Sequence, residues 1–82
     1  PPEDGATQAI SYMERQDWQG CIRETHRHPP TPRLLGTRMN CAVQASDHAE
    51  LRSTCAEIGQ HYPQHPYNDS CRSLMRAYGI TP

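Results

Sequence analysis

The chain has 82 residues and a formal net charge of −1, its eight cations all arginine and set against nine carboxylates. That length fits one small domain, and the balanced charge argues against the basic face that broad nucleic-acid binding requires. Only 34% of the residues are hydrophobic, with no Phe and a single Trp, so the core calls for a staple: disulfides, a metal or a partner.

Residues 1–5, Pro-Pro-Glu-Asp-Gly, read as a flexible leader, and residues 6–82 as one helical domain. Thr7 is a candidate N-cap for a helix from about Gln8. Ala9, Ile10, Met13 and Trp18 give that helix an apolar side, continued by Cys21 and Ile22. Asp17 either restarts the helix after a tight turn or lies within one that runs straight through. Either way the element ends by Arg27-His28, because Pro29-Pro30-Thr31-Pro32 cannot continue it.

A second element is predicted over residues 33–45, with Leu34, Leu35, Met39, Cys41, Ala42 and Val43 at helical spacing. Ser46-Asp47 breaks it. Asp47 is a good N-cap, and Glu50 three residues later completes a capping-box-like pattern. The third element runs to about Tyr62 through Leu51, Cys55 and Ile58. After the turn Pro63-Gln64-His65-Pro66, the fourth covers residues 68–78, with Cys71, Leu74, Met75 and Tyr78 on one face and Gly79 as its stop. No strand pattern appears, so the class is all-α: four to five short antiparallel helices. No apolar run approaches the ~18 residues of a membrane span.

Cys21 and Cys41 straddle the first proline break, and Cys55 and Cys71 the second. In antiparallel helices all four sulfurs then lie at one level, roughly 8–14 Å from the same end at ~1.5 Å per residue. An even count with no C-x-x-C fits two disulfides, each contributing on the order of 3 kcal/mol. Disulfides place the protein in an oxidising, extracytoplasmic setting: secreted, periplasmic or cell-surface. No signal peptide is present, so a chain starting at Pro1 is expected to be a mature or trimmed form.

The stretch from Tyr12 through Met13, Asp17 and Cys21 to Ile22 aligns with the stretch from Ala42 through Val43, Asp47 and Leu51 to Arg52, thirty residues on. Each is a helix end, an Asp turn and a new helix start. Ala9, Tyr12, Asp17 and Cys21 supply a small residue, an aromatic, a turn residue and a small packing residue. Met39, Ala42, Asp47, Leu51 and Pro63 fall at comparable places, and His61-Tyr62-Pro63 forms a tyrosine-proline exit. The pattern resembles tetratricopeptide-like helical repeats, whose usual period is ~34 residues. The resemblance implies a protein-binding scaffold whose first helices carry the contacts, here Met13, Arg33, Gly36 and Asn40.

A plain closed bundle is the alternative architecture, and the two differ in cysteine pairing. In a stack only consecutive helices touch, which predicts Cys21–Cys41 and Cys55–Cys71. A closed bundle also permits Cys41–Cys55 nested inside Cys21–Cys71.

Other chemistry is weighed residue by residue. Cys55, His61, His65 and Cys71 form C-x5-H-x3-H-x5-C, a ligand mixture suited to tetrahedral zinc, and so a zinc-stabilised helical module is an alternative reading. His26-Arg27-His28 reads as a solvated helix end. Arg23, Arg27, Arg33 and Arg38 flank the first break and read as solvated surface. Asn68-Asp69-Ser70 matches the glycosylation sequon, usable in a eukaryotic secreted protein. Trp18 is a candidate partner anchor, or else closes one end of the core. His48 beside Asp47 has no paired nucleophile, and no glycine-rich phosphate loop is present.

The expectation is therefore a non-enzymatic module without cofactor that binds another protein through a groove lined by the first and third long segments. A secreted signalling or toxin-like domain is the further alternative.

Overall fold

The computed structural model describes residues 5–81. The protein is all-α: α1 (Ala6–Glu14), α2 (Trp18–Thr25), α3 (Pro32–Gln44), α4 (His48–His61) and α5 (Tyr67–Ala77), with no strand among the described residues. No helix among them is long and apolar enough to cross a membrane. The leader expected over residues 1–5 lies outside the described residues, except Gly5.

Gly5 corrects the first boundary. It is buried, sits at φ 85° and precedes α1 directly, so Thr7 falls inside the first turn instead of capping it. A side chain at Gly5 would run into the His28 imidazole. The residues after Glu14 do not continue one long helix. Asp17 starts a second one, and its carboxylate accepts from the Gly20 amide at 2.9 Å. Asp47 does the same for α4 through the Glu50 amide at 3.1 Å. Thr31 caps α3 through the Leu34 amide, with Pro32 in the first turn where its missing N–H costs nothing.

The two turns aligned in the sequence have the same backbone. Gln16 and Ser46 are both left-handed, at φ 61° and 54°. The Gln16 amide donates to the Met13 carbonyl and the Asp17 amide to that of Tyr12, each at 2.9 Å. The Ser46 amide donates to Val43 at 3.1 Å and the Asp47 amide to Ala42 at 2.9 Å. This paired bonding is the Schellman motif. α5 ends the same way: Gly79 at φ 66° donates to Arg76 at 3.2 Å and Ile80 to Met75 at 2.8 Å. Thus α1, α3 and α5 share one exit geometry. It turns the chain back into α2 after α1 and into α4 after α3.

Successive helices pack on one another, and α1 also packs on α3. The molecule is slab-like, with extents of 32 × 26 × 16 Å. α3 separates two cores. On one side Ala9, Cys21, Ile22 and Cys41 are buried with Tyr12, Met13 and Trp18 against them. On the other lie Leu35, Met39, Ala42, Leu51, Cys55, Ile58, Cys71 and Met75. Each core holds one disulfide: Cys21–Cys41 and Cys55–Cys71, with Cα atoms 6.4 and 5.7 Å apart. The pairing is the consecutive one. Trp18 is half-buried at the edge of the smaller core.

Arg38 departs from the expectation of a solvated arginine cluster, while Arg23, Arg27 and Arg33 are exposed. Arg38 is 2% exposed. Its Nε donates to Thr25 Oγ1 at 2.9 Å, its Nη2 to the Thr25 carbonyl at 3.1 Å and its Nη1 to Glu57 at 2.5 Å. Thr25 is the last residue of α2, where carbonyls lack helical partners and a cation is favoured. The guanidinium therefore stitches α2, α3 and α4 together.

Among the described residues one buried side-chain group is unmatched. The Thr54 hydroxyl, in α4, is fully buried and finds no hydrogen-bond partner. Thr54→Val keeps the shape and removes the unpaired oxygen, whose burial costs about 1–3 kcal/mol. The variant is expected to melt several degrees higher. A lower melting temperature by calorimetry would show that the hydroxyl is in fact satisfied.

Candidate binding groove

An open groove of about 610 Å³ runs between α4 and α5. Its buried members are Cys55, Cys71 and Met75, joined by the half-buried Ile80 and by Ala56. Arg52, Arg72 and Arg76 are its exposed charged members, and among the described residues no carboxylate lines it. The helix boundaries explain the composition. Arg52 and Ala56 are one turn apart on α4, as are Cys71 and Met75, and Arg72 and Arg76, on α5. Arg72 pairs with exposed Asp69, whereas Arg52 and Arg76 form no ion pair among the described residues.

This groove differs from the one expected in the sequence, which was to be lined by the first and third long segments. The residues expected to bind a partner are placed as follows. Met13 and Asn40 meet, the Asn40 carboxamide donating to the Met13 sulfur at 3.3 Å. Arg33 is exposed on the same α3. Gly36 is occupied from within: a Cβ there would lie 2.6 Å from the Tyr67 ring, so α5 covers this position. Trp18 is on the far side of α3 from the groove, in the smaller core.

The alternative zinc set is not assembled. Cys55 and Cys71 are bonded to each other, which removes both thiolates. His65 Nδ1 accepts from the Tyr67 amide at 3.1 Å within its own turn, and His61 is exposed. Asn68 is likewise engaged, donating to the Tyr62 and His65 carbonyls at 2.8 and 2.9 Å. A glycan on that nitrogen would remove a donor hydrogen from this pair. Tyr62 fixes the turn from its other side, its hydroxyl donating to the Pro30 carbonyl at 2.5 Å.

The histidines near the first break are hydrogen-bonded to carboxylates. His26 Nε2 lies 2.6 Å from Glu50 on α4, and His28 Nε2 lies 2.9 Å from Glu24. The His28 hydrogen bond holds the Glu24 carboxyl below its ordinary range; desolvation opposes this and the Arg27 charge adds to it. These contacts brace the end of α2.

The register that marks the groove residues becomes visible in the backbone of the structure. The turn at Gly79 lies thirty-three residues after the turn at Ser46. At that offset α5 lies in register with α3, which marks its groove-facing positions. Comparison with protein-family profiles, with curated proteins and with solved structures finds no match to this chain.

Proposed function

We propose that this domain is a non-catalytic protein-binding module, a scaffold, accessory subunit or receptor-like domain working in an oxidising compartment. The observation that carries the proposal is the open apolar groove between α4 and α5, built on a disulfide. The Cys55–Cys71 disulfide ties the two helices that form the groove, and the Arg38 contact with Glu57 ties α4 to α3. A pre-ordered surface loses less freedom on association than a flexible one. The repeated turns at Gln16, Ser46 and Gly79 support a tetratricopeptide-like stack, an architecture suited to presenting helix faces to a partner. Disulfides of this kind persist in secreted, periplasmic or cell-surface proteins.

The test is photo-crosslinking in the organism of origin. A benzophenone side chain is placed singly at exposed positions around the whole surface, and the extracytoplasmic fraction is searched for adducts. The expected result is one discrete protein adduct, competed away by excess unlabelled domain. Absence of any competed adduct from every position would overturn the proposal.

A further inference from the structure

The groove has the position of a helix seat within this fold. Leu35, Met39 and Ala42 of α3 pack into the core shared with Leu51, Cys55 and Ile58 of α4, and Arg38 bonds Glu57 of α4. The exits of α3 and α5, at Ser46 and Gly79, set the register between the two helices at thirty-three residues. In that register the α4-facing residues Leu35, Arg38, Met39 and Ala42 correspond to Asn68, Cys71, Arg72 and Met75. All four of these line the groove. α5 therefore places along the groove the positions with which α3 receives α4.

From this we infer that the groove receives an amphipathic α-helix of another protein, with an apolar stripe flanked by carboxylates. The inference rests on the protein-binding reading and specifies the partner's chemistry. A helix is favoured over an extended peptide because the backbones of α4 and α5 are bonded within their own helices and offer no row of donors for strand addition. Apolar residues three and four apart would cover Cys55, Cys71, Met75 and Ile80. The charge requirement follows from the lining, which among the described residues holds three guanidinium groups and no carboxylate. Arg52 and Arg76 form no ion pair among the described residues, so a facing carboxylate displaces no existing partner from them. From Asn68 to Ile80 the seat accommodates about three helical turns at ~1.5 Å per residue.

The experiment uses the oxidised protein and two stapled helical peptides of about 16 residues, long enough to hold several turns. Both carry leucine at helical spacing. One has glutamate along both flanks, and its twin has lysine. Titration is followed by amide NMR shifts of the protein. The Glu peptide is expected to shift α4 and α5 signals around Cys55, Cys71 and Met75, and to bind roughly tenfold tighter than its twin at low salt, with the gap closing as salt rises. The double variant Arg52→Glu/Arg76→Glu changes two exposed side chains, and is expected to reverse the preference while keeping the fold by circular dichroism. Equal binding of both peptides, no binding of either, or shifts centred on Met13 and Asn40 would overturn the inference. Failure here with a competed photo-adduct elsewhere on the surface leaves the protein-binding reading standing. Failure of the adduct search alone leaves the peptide result intact.

Discussion

Reducing both disulfides at neutral pH is expected to unfold this domain at 25 °C. At roughly 0.05–0.15 kcal/mol per residue, a domain of this size has about 4–12 kcal/mol of net stability. The two bridges close loops with sequence separations of 20 and 16, and each restricts the unfolded chain by about 3 kcal/mol. Removing both takes away about 6 kcal/mol, which exceeds the net stability at the lower end of that range, where a chain with so small a core falls. Far-UV circular dichroism before and after a phosphine reductant reads this directly. Retention of the helical signal with fully reduced thiols would show that the cores suffice alone.

The two bridges are expected to fail differently when removed singly. The core around Cys21–Cys41 contains only Ala9 and Ile22 as further buried hydrophobics. Cys21→Ala/Cys41→Ala should therefore release α1 and α2 while α3 to α5 stay protected, since Leu35, Leu51 and Ile58 are buried in the other core. Cys55→Ala/Cys71→Ala removes the covalent tie between α4 and α5, and among the described residues α5 packs chiefly on α4. Loss of protection should then centre on α5 and its groove. Hydrogen exchange by mass spectrometry distinguishes these patterns, and uniform loss in both variants would refute two separable cores. The pairing itself is read from a non-reducing tryptic map. Peptide 16–23 should be joined to peptide 39–52, and peptide 53–72 should be closed on itself.

The parts of this fold visible in the sequence are those set by local chemistry. Proline stops a helix wherever it stands, so the breaks at Pro29–Pro32 and Pro63–Pro66 are readable. Asp17 and Asp47 cap because a short carboxylate reaches the amide three residues on. The level of the four cysteines follows from counting along helices, although the choice between consecutive and nested pairing required tertiary packing. Gly36 could not be placed by counting, because the Tyr67 ring that covers it arrives from another helix. The groove was missed for a related reason. Whether Met75 is covered depends on which helix lies beyond α5, and no local pattern states that. Arg38 is the instructive case. It follows Leu34 by four residues and Leu35 by three, so it lies on the apolar stripe, and the position was informative even though its charge argued for solvent.

Arg38→Met is expected to destabilise the protein by about 2–4 kcal/mol. Methionine has similar length and fills much of the space, so the loss is not chiefly a cavity. It arises from the Thr25 carbonyl and hydroxyl, fully buried at the end of α2, which lose the donors that meet them. The hydroxyl keeps its own bond to the Ile22 carbonyl at 2.6 Å, but the Thr25 carbonyl loses the donor that meets it in the structure. Glu57 is less severe. Its side chain is 31% exposed and regains water when the guanidinium is gone, which keeps the cost below that of a fully buried broken pair. The comparison variant Glu57→Gln should therefore cost only ~1 kcal/mol or less. Urea melts of the two variants separate the contributions. A large loss for Arg38→Met with a small one for Glu57→Gln assigns the stabilisation to the helix-end carbonyl. A neutral or stabilising Arg38→Met would mean that desolvating the guanidinium costs as much as its three contacts return, and that apolar packing serves this junction equally well.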